Sequence, residues 1–247
     1  MQPLAQTNLQ LYRELLAAGW DEEDVSDVRD AHEFAADVHS TQFRRSGKPF
    51  IAHLVGTASA VARAGAGSDM VRAALLHAVY QEGEFGSGVP GISERKRAAV
   101  QAVVGVDVDA RVVCYTQHQL GLDELRAWMA DVELLSTLER DVAVLRVANE
   151  VDDYPENADS RIELMVQLTE QLDEPALREM LLGVYALGAE PDVQRALRIA
   201  SVVPGSRAPR AYRLRVLPAL RRFPQALRRT ARRVPLAKRT YRRLHRS

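Results

Sequence analysis

Along most of this chain the apolar residues recur every three or four positions, the spacing of a helix face, and nowhere do they alternate cleanly. Leu9, Tyr12, Leu15 and Leu16 form one such stripe, and Gly19 ends it. Asp21-Glu22-Glu23-Asp24 suits the first turn of a second helix, where carboxylates meet the positive end of the peptide dipole; the pattern carries that helix to about Phe43. Ser46-Gly47-Lys48-Pro49 reads as a turn. Ile51, Leu54, Ala58 and Val61 mark a third helix over Phe50–Ala64, closed by Gly65-Ala66-Gly67. Ser68 and Asp69 are expected to cap a fourth, from Met70 to about Glu82, with Val71, Ala74, Leu75 and Val79 inside.

Gly83 to Ile92 holds four glycines and one proline and reads as an exposed loop. Ser93-Glu94-Arg95-Lys96 starts a helix to about Val104, and further helices are predicted at 106–119, 122–131, 133–152, 159–172 and 174–187. Val112-Val113-Cys114-Tyr115 has strand-forming composition but is short and sits inside helical pattern. The expected fold is all-α: a helical body of about 200 residues, then an extension from near Pro204.

With 247 residues the body can bury a full core without disulfides, and the single cysteine, Cys114, excludes a disulfide framework and a Cys-rich zinc site. There is no run of 18 apolar residues to span a membrane and no basic-then-apolar leader pattern, so a cytoplasmic location is expected. The balance of 33 basic and 33 acidic residues hides a segregation. Residues 201–247 carry 15 Lys+Arg and no acid, which leaves 33 − 15 = 18 basic against 33 acidic residues elsewhere. Nearly all the basic residues are arginine; the lysines are Lys48, Lys96 and Lys238.

The extension, 204–247, is interrupted by Pro204, Pro209, Pro218, Pro224 and Pro235. Its last two segments set Leu227, Ala231 and Val234, then Leu236, Tyr241 and Leu244, against arginine-rich faces. Such short basic amphipathic helices suit an anionic membrane surface, and so a peripheral place at the inner membrane face. They equally suit RNA, or the chain's own acidic body. Few aromatics are present for base stacking.

Five histidines lie in the body. His32, His39 and His118 read as structural or surface residues. His53 and His77 sit in helices of small and apolar residues, where a buried imidazole needs a hydrogen-bond partner or a metal.

Three stretches carry a resemblance. Gln42-Phe43-Arg44-Arg45-Ser46-Gly47-Lys48-Pro49-Phe50-Ile51-Ala52-His53 resembles the opening of the hydrolase domain of RelA/SpoT-type alarmone enzymes, helical members of the HD superfamily of metal-dependent phosphohydrolases. Ala73 to Glu82 resembles the family's Ala-x-Leu-Leu-His-Asp-Val-Val-Glu-Asp segment, and Val144 to Asp153 its later Leu-Ala-Asp helix. The resemblance spans about residues 30–155 and implies an HD-like helical bundle. It divides the chain into an N-terminal segment 1–30, an HD-like domain 31–155, helices 156–203 packed on the body, and the arginine-rich tail 204–247.

The resemblance also implies a site, and the departures fall there. His53 and His77 stand where the family has metal-ligand histidines, but Ala78 replaces one ligand aspartate and Asn149 the other, and Gln81-Glu82 stands for the catalytic Glu-Asp pair. Alanine offers no ligand, and an amide binds a hard ion far more weakly than a carboxylate. Asp152 shares a helix face with Asn149, so a rewired site of His53, His77 and Asp152 holding manganese, iron or zinc is the alternative to a metal-free protein. The blander reading makes Asp152 and Asp153 solvated helix-end charges.

A second resemblance rests on His53-Leu54-Val55-Gly56-Thr57 and Ala74-Leu75-Leu76-His77-Ala78-Val79-Tyr80. These resemble the His-Leu-x-Gly-Thr and Leu-Phe-His-Ser-x-Tyr-Gly-Thr motifs of an uncharacterised bacterial domain family, where a small residue also follows the second histidine. Gln81-Glu82 departs from its Gly-Thr. The combined expectation is a degenerate HD-type domain that binds a phosphorylated metabolite or nucleotide without efficient hydrolysis. Arg44, Arg45, Lys48, His53, His77 and Asn149 are the expected ligand-binding residues. The alternatives are a diverged phosphohydrolase and an interaction protein working through its tail.

Overall fold

The computed structural model describes residues 3–44, 47–86, 89–153 and 162–200, and among these the chain is helical with no strand. The basic extension 204–247, with its amphipathic segments, and Arg45 lie outside the described residues. The helices are α1 (Asn8–Ala17), α2 (Glu22–Val38), α3 (Phe50–Arg63), α4 (Ser68–Leu76), α5 (Val79–Glu82), α6 (Glu94–Gln117), α7 (Leu122–Ala130), α8 (Thr137–Asp153), α9 (Ile162–Gln171), α10 (Pro175–Gly188) and α11 (Pro191–Ala200). None of the described helices is long and apolar enough to cross a membrane.

Helix α3 is the axle of the all-α bundle because it is almost free of charge. From His53 to Val61 every residue is buried. Helices α4 and α8 pack against it, α2 covers α4, α6 packs on α4 and α8, and α9 and α10 pack on α8, with α10 also reaching α3. The residues before α1 are pinned to this axle: Ala5 N donates to Ser59 Oγ at 3.1 Å, and Arg63 donates to the Pro3 carbonyl at 2.6 Å. The burial of these apolar side chains, at roughly 25 cal/mol per Å² of apolar surface removed from water, supplies the main driving force.

The breakers fell where the pattern placed them, and two helix starts carry side-chain caps. Asp21 accepts from the Asp24 amide and Ser93 from the Lys96 amide, as N-caps do. Gly105, with φ 84°, interrupts α6 at the junction predicted between 104 and 106. Three expectations are corrected. The second helix stops at Val38, not near Phe43, because Phe43 forms an antiparallel bridge with Pro49 and the Phe50 amide donates to the Gln42 carbonyl. The fourth helix does not run on to Glu82: Ala78 (φ −95°, ψ 2°) separates α4 from α5, and Tyr80 then reaches the buried Asp109, which Arg97 and Gln101 also hold. Ser68 is the first helical residue, with Gly67 as the N-cap and no side-chain cap.

The loop after α5 is exposed at Val89 and Ile92, as expected. It is nevertheless anchored, since Lys96 donates to the carbonyls of Val89 and Gly91 at 2.6 and 2.7 Å. Helix α8 starts later than the pattern suggested. A 3-10 turn, Val132–Leu134, precedes it, and Ser136 and Glu139 exchange backbone–side-chain bonds at its start.

A candidate functional site centred on His53

His53 is fully buried in the second turn of α3, and each of its ring nitrogens has a partner. Nδ1 lies 2.8 Å from Asp152 Oδ2 and 3.2 Å from Asp153 Oδ1. Nε2 lies 3.3 Å from Nε2 of His77. His77, at the C-terminal end of α4, donates from Nδ1 to the Ala74 carbonyl at 2.7 Å, which fixes its tautomer: its Nε2 is then the acceptor in the neutral ring. Burial first, then the positive neighbours, hold the His77 ring well below the ordinary imidazole value.

Asp152 and Asp153 close the described part of α8. Their side chains are only 3% and 10% exposed, so they are not solvated helix-end charges; packing against α3 takes them out of water. Two buried carboxylates at that place require cations. Lys48 Nζ lies 2.8 and 2.7 Å from the two oxygens of Asp152, and Arg44 lies 2.5 Å from Asp153. Both cations come from one tight turn. The Arg44 amide donates to the Lys48 carbonyl, the Gly47 amide to the Arg44 carbonyl, and Gly47 has the positive φ, 87°, that such a turn needs.

Asp152 also accepts from Gln6 Nε2 at 3.1 Å, a link to the N-terminal segment that no sequence pattern announces. Its approach depends on Gly56, three residues after His53, where a Cβ would fall 1.8 Å from Asp152 Oδ1. Burial pushes the Asp152 carboxyl up, but the hydrogen bond and charge of His53 and the Lys48 ammonium together outweigh it and leave it below the ordinary carboxylate value.

The expected site residues divide accordingly. His53, His77, Asn149, Arg44, Lys48 and Asp152 are gathered here; Ala78 follows His77 and is buried. Asn149 donates to Asp153 Oδ2 at 3.4 Å. Glu82 is exposed, Gln81 is half-buried, and neither is among the partners of the two histidines. The sequence reading missed Asp153 as a site residue, and it missed Arg146. The Arg146 guanidinium stacks 3.5 Å from the centre of the Tyr115 ring and donates to the Tyr115 and His118 carbonyls. Tyr115 in turn meets the His77 ring edge-on at 5.0 Å.

The divalent ion that an HD-type site would hold does not fit these residues. Ala78 has no donor atom, Asn149 offers only a neutral amide oxygen in place of a carboxylate, and the two imidazoles supply no negative charge. The rewired set fails for a separate reason. Asp152 and His77 lie on opposite nitrogens of His53, so the three are strung in a line and do not surround one point. His53, Asp152 and Asp153 alone do bring a ring nitrogen and two carboxylates within 4.8 Å of one another. A divalent ion set among them with Lys48 still in place, roughly 4 Å away, would meet about 8 kcal/mol of repulsion at an effective dielectric near 20.

His39, which reads as an ordinary histidine in the sequence, is buried beside this cluster. It stacks on Phe50 at 4.7 Å and bonds through Nδ1 to Gln42, while its Nε2 has no hydrogen-bond partner. Burial pushes its ring down to about 4. The folded protein therefore binds fewer protons than the unfolded chain between that value and the ordinary imidazole value of about 6.5, and stability falls as pH drops through this window. From pH 7 to pH 5 the His39 share of the loss is expected to be about 2 kcal/mol. Urea titrations at both pH values check it: in His39→Phe, which keeps the stack, the acid loss should shrink by that amount.

A domain family of unknown function (DUF6817) matches residues 35–119. The matched stretch contains His39, Arg44, Lys48, His53 and His77 and ends before α8, which supplies Asn149, Asp152 and Asp153. No curated protein matches the chain.

Proposed function

We propose that this chain is a non-hydrolysing binding domain on the plan of an HD-type phosphohydrolase, and that its ligand is a phosphorylated small molecule. The observation that carries the reading is the Lys48 ammonium on both oxygens of Asp152, beside His53. A cation built into the chain neutralises the carboxylate without offering the Lewis acidity or the activated water that phosphate hydrolysis draws from a metal. Arg44 and Lys48 are also the members of the cluster with the most access to solvent, at 18% and 19% of their side chains. A phosphate arriving there meets a guanidinium fork and an ammonium.

The test uses the full chain in chelator, with inorganic pyrophosphate and a set of nucleoside di- and triphosphates as probes. At least one nucleotide should raise the melting temperature in the absence of metal, and Arg44→Ala should abolish the rise. No phosphate should be released, with or without added manganese. Manganese-dependent phosphate release would overturn the reading, and so would the absence of any stabilising nucleotide.

A further inference from the structure

We propose that His53 Nδ1, Asp152 and Asp153 form a cation pocket in its own right, and that Lys48, assisted by Arg44, is its resident cation in place of a divalent ion. The pocket lies on the Nδ1 side of His53, away from the His77 contact, and uses no atom of Ala78 or Asn149 as a ligand. The two carboxylates are met by one ammonium and one guanidinium, Lys48 on Asp152 and Arg44 on Asp153. Lys48 behaves as an ion would. It bridges both oxygens of Asp152 at 2.7 and 2.8 Å, where the His53 ring and the Gln6 amide complete the shell around that carboxylate.

The choice of residue supports this. Of 33 basic residues only Lys48, Lys96 and Lys238 are lysine, so lysine in this chain is the exception. The two that are described both set a compact ammonium among converging oxygens: Lys96 on the Val89 and Gly91 carbonyls, Lys48 on Asp152. An ammonium is a compact point charge with three donors, which suits it to the place an ion would take on Asp152. The turn 44–48 delivers both cations to one helix end, so a single local structure replaces what a metal would otherwise bring.

The inference does not depend on the phosphorylated ligand, and its test contains none. Wild type, Lys48→Met and Lys48→Met/Asp153→Asn are titrated with Co²⁺ as full-length chains, read by visible absorption and by melting temperature. Wild type should bind Co²⁺ only weakly. Metal-free Lys48→Met should melt lower than wild type, take up one equivalent of Co²⁺ at least about tenfold more tightly, and regain melting temperature with it. The added Asp153→Asn should remove that binding. Equal Co²⁺ affinity in wild type and Lys48→Met would overturn the proposal, as would a metal-free Lys48→Met that melts like wild type. If Lys48→Met does not fold, acylation of Lys48 in wild type decides. It should be at least about tenfold slower in the native protein than in urea, and unchanged by Co²⁺. Equal rates in both states, or exposure of Lys48 by Co²⁺, would sink the idea.

Discussion

Asp152→Ala is expected to destabilise the helical body by about 3–5 kcal/mol, the cost of removing one partner from a buried ion pair. The carboxylate accepts from His53, Lys48 and Gln6, which belong to three separate parts of the chain. Deleting it removes the carboxylate that Lys48 bridges and strips the His53 Nδ1 of its nearest acceptor. Lys48 keeps 19% exposure and can turn partly toward water, which places the expectation at the lower end of the range. Asp152→Asn separates charge from shape: it retains an acceptor for His53 and should cost about half as much. Urea denaturation of the full chain, with the slope unchanged between variants, is the measurement. A loss below about 1 kcal/mol for Asp152→Ala would mean that the pair behaves like an exposed one.

How much of this was legible beforehand depends on the range of the interaction. The helices of the body and the glycine break at Gly105 are local, and periodicity exposed them, whereas the caps expected at Ser68 and Asp69 are not formed. His53 and His77 stood out because a titratable ring inside an apolar run needs an explanation, and the structure supplies one for each ring nitrogen. Asp152 and Asp153 looked like a frayed helix end because nothing within α8 says that its last turn is buried. That depends on a turn a hundred residues earlier and on Gln6. The same limit hid the end of α2 at Val38, where the Phe43–Pro49 bridge overrides a sequence that tolerates helix. The Ala78 break was invisible because Tyr80 and Asp109 meet only after folding.

Gly56 holds the most counterintuitive expectation. It lies in the middle of α3, where glycine is ordinarily about 1 kcal/mol worse than alanine, so Gly56→Ala should stabilise the helix on propensity alone. Here the sign reverses. The new methyl would sit 1.8 Å from Asp152 Oδ1 and 2.4 Å from its Cγ, with Gln6 Nε2 at 3.0 Å on the same side. Neither side chain can yield cheaply, since moving Asp152 breaks its bonds to Lys48 and His53 together. Overpacking of this kind costs about 1–3 kcal/mol by itself, and loss of the ion pair adds to it, so a net destabilisation of about 3 kcal/mol is expected. The decisive measurement is the double-mutant cycle with Asp152→Ala. Once the carboxylate is gone the methyl has room, and Gly56→Ala in that background should be neutral or stabilising by up to about 1 kcal/mol. A penalty that persists unchanged in the Asp152→Ala protein would place the clash in the backbone of α3 and α8 and detach Gly56 from the cation pocket.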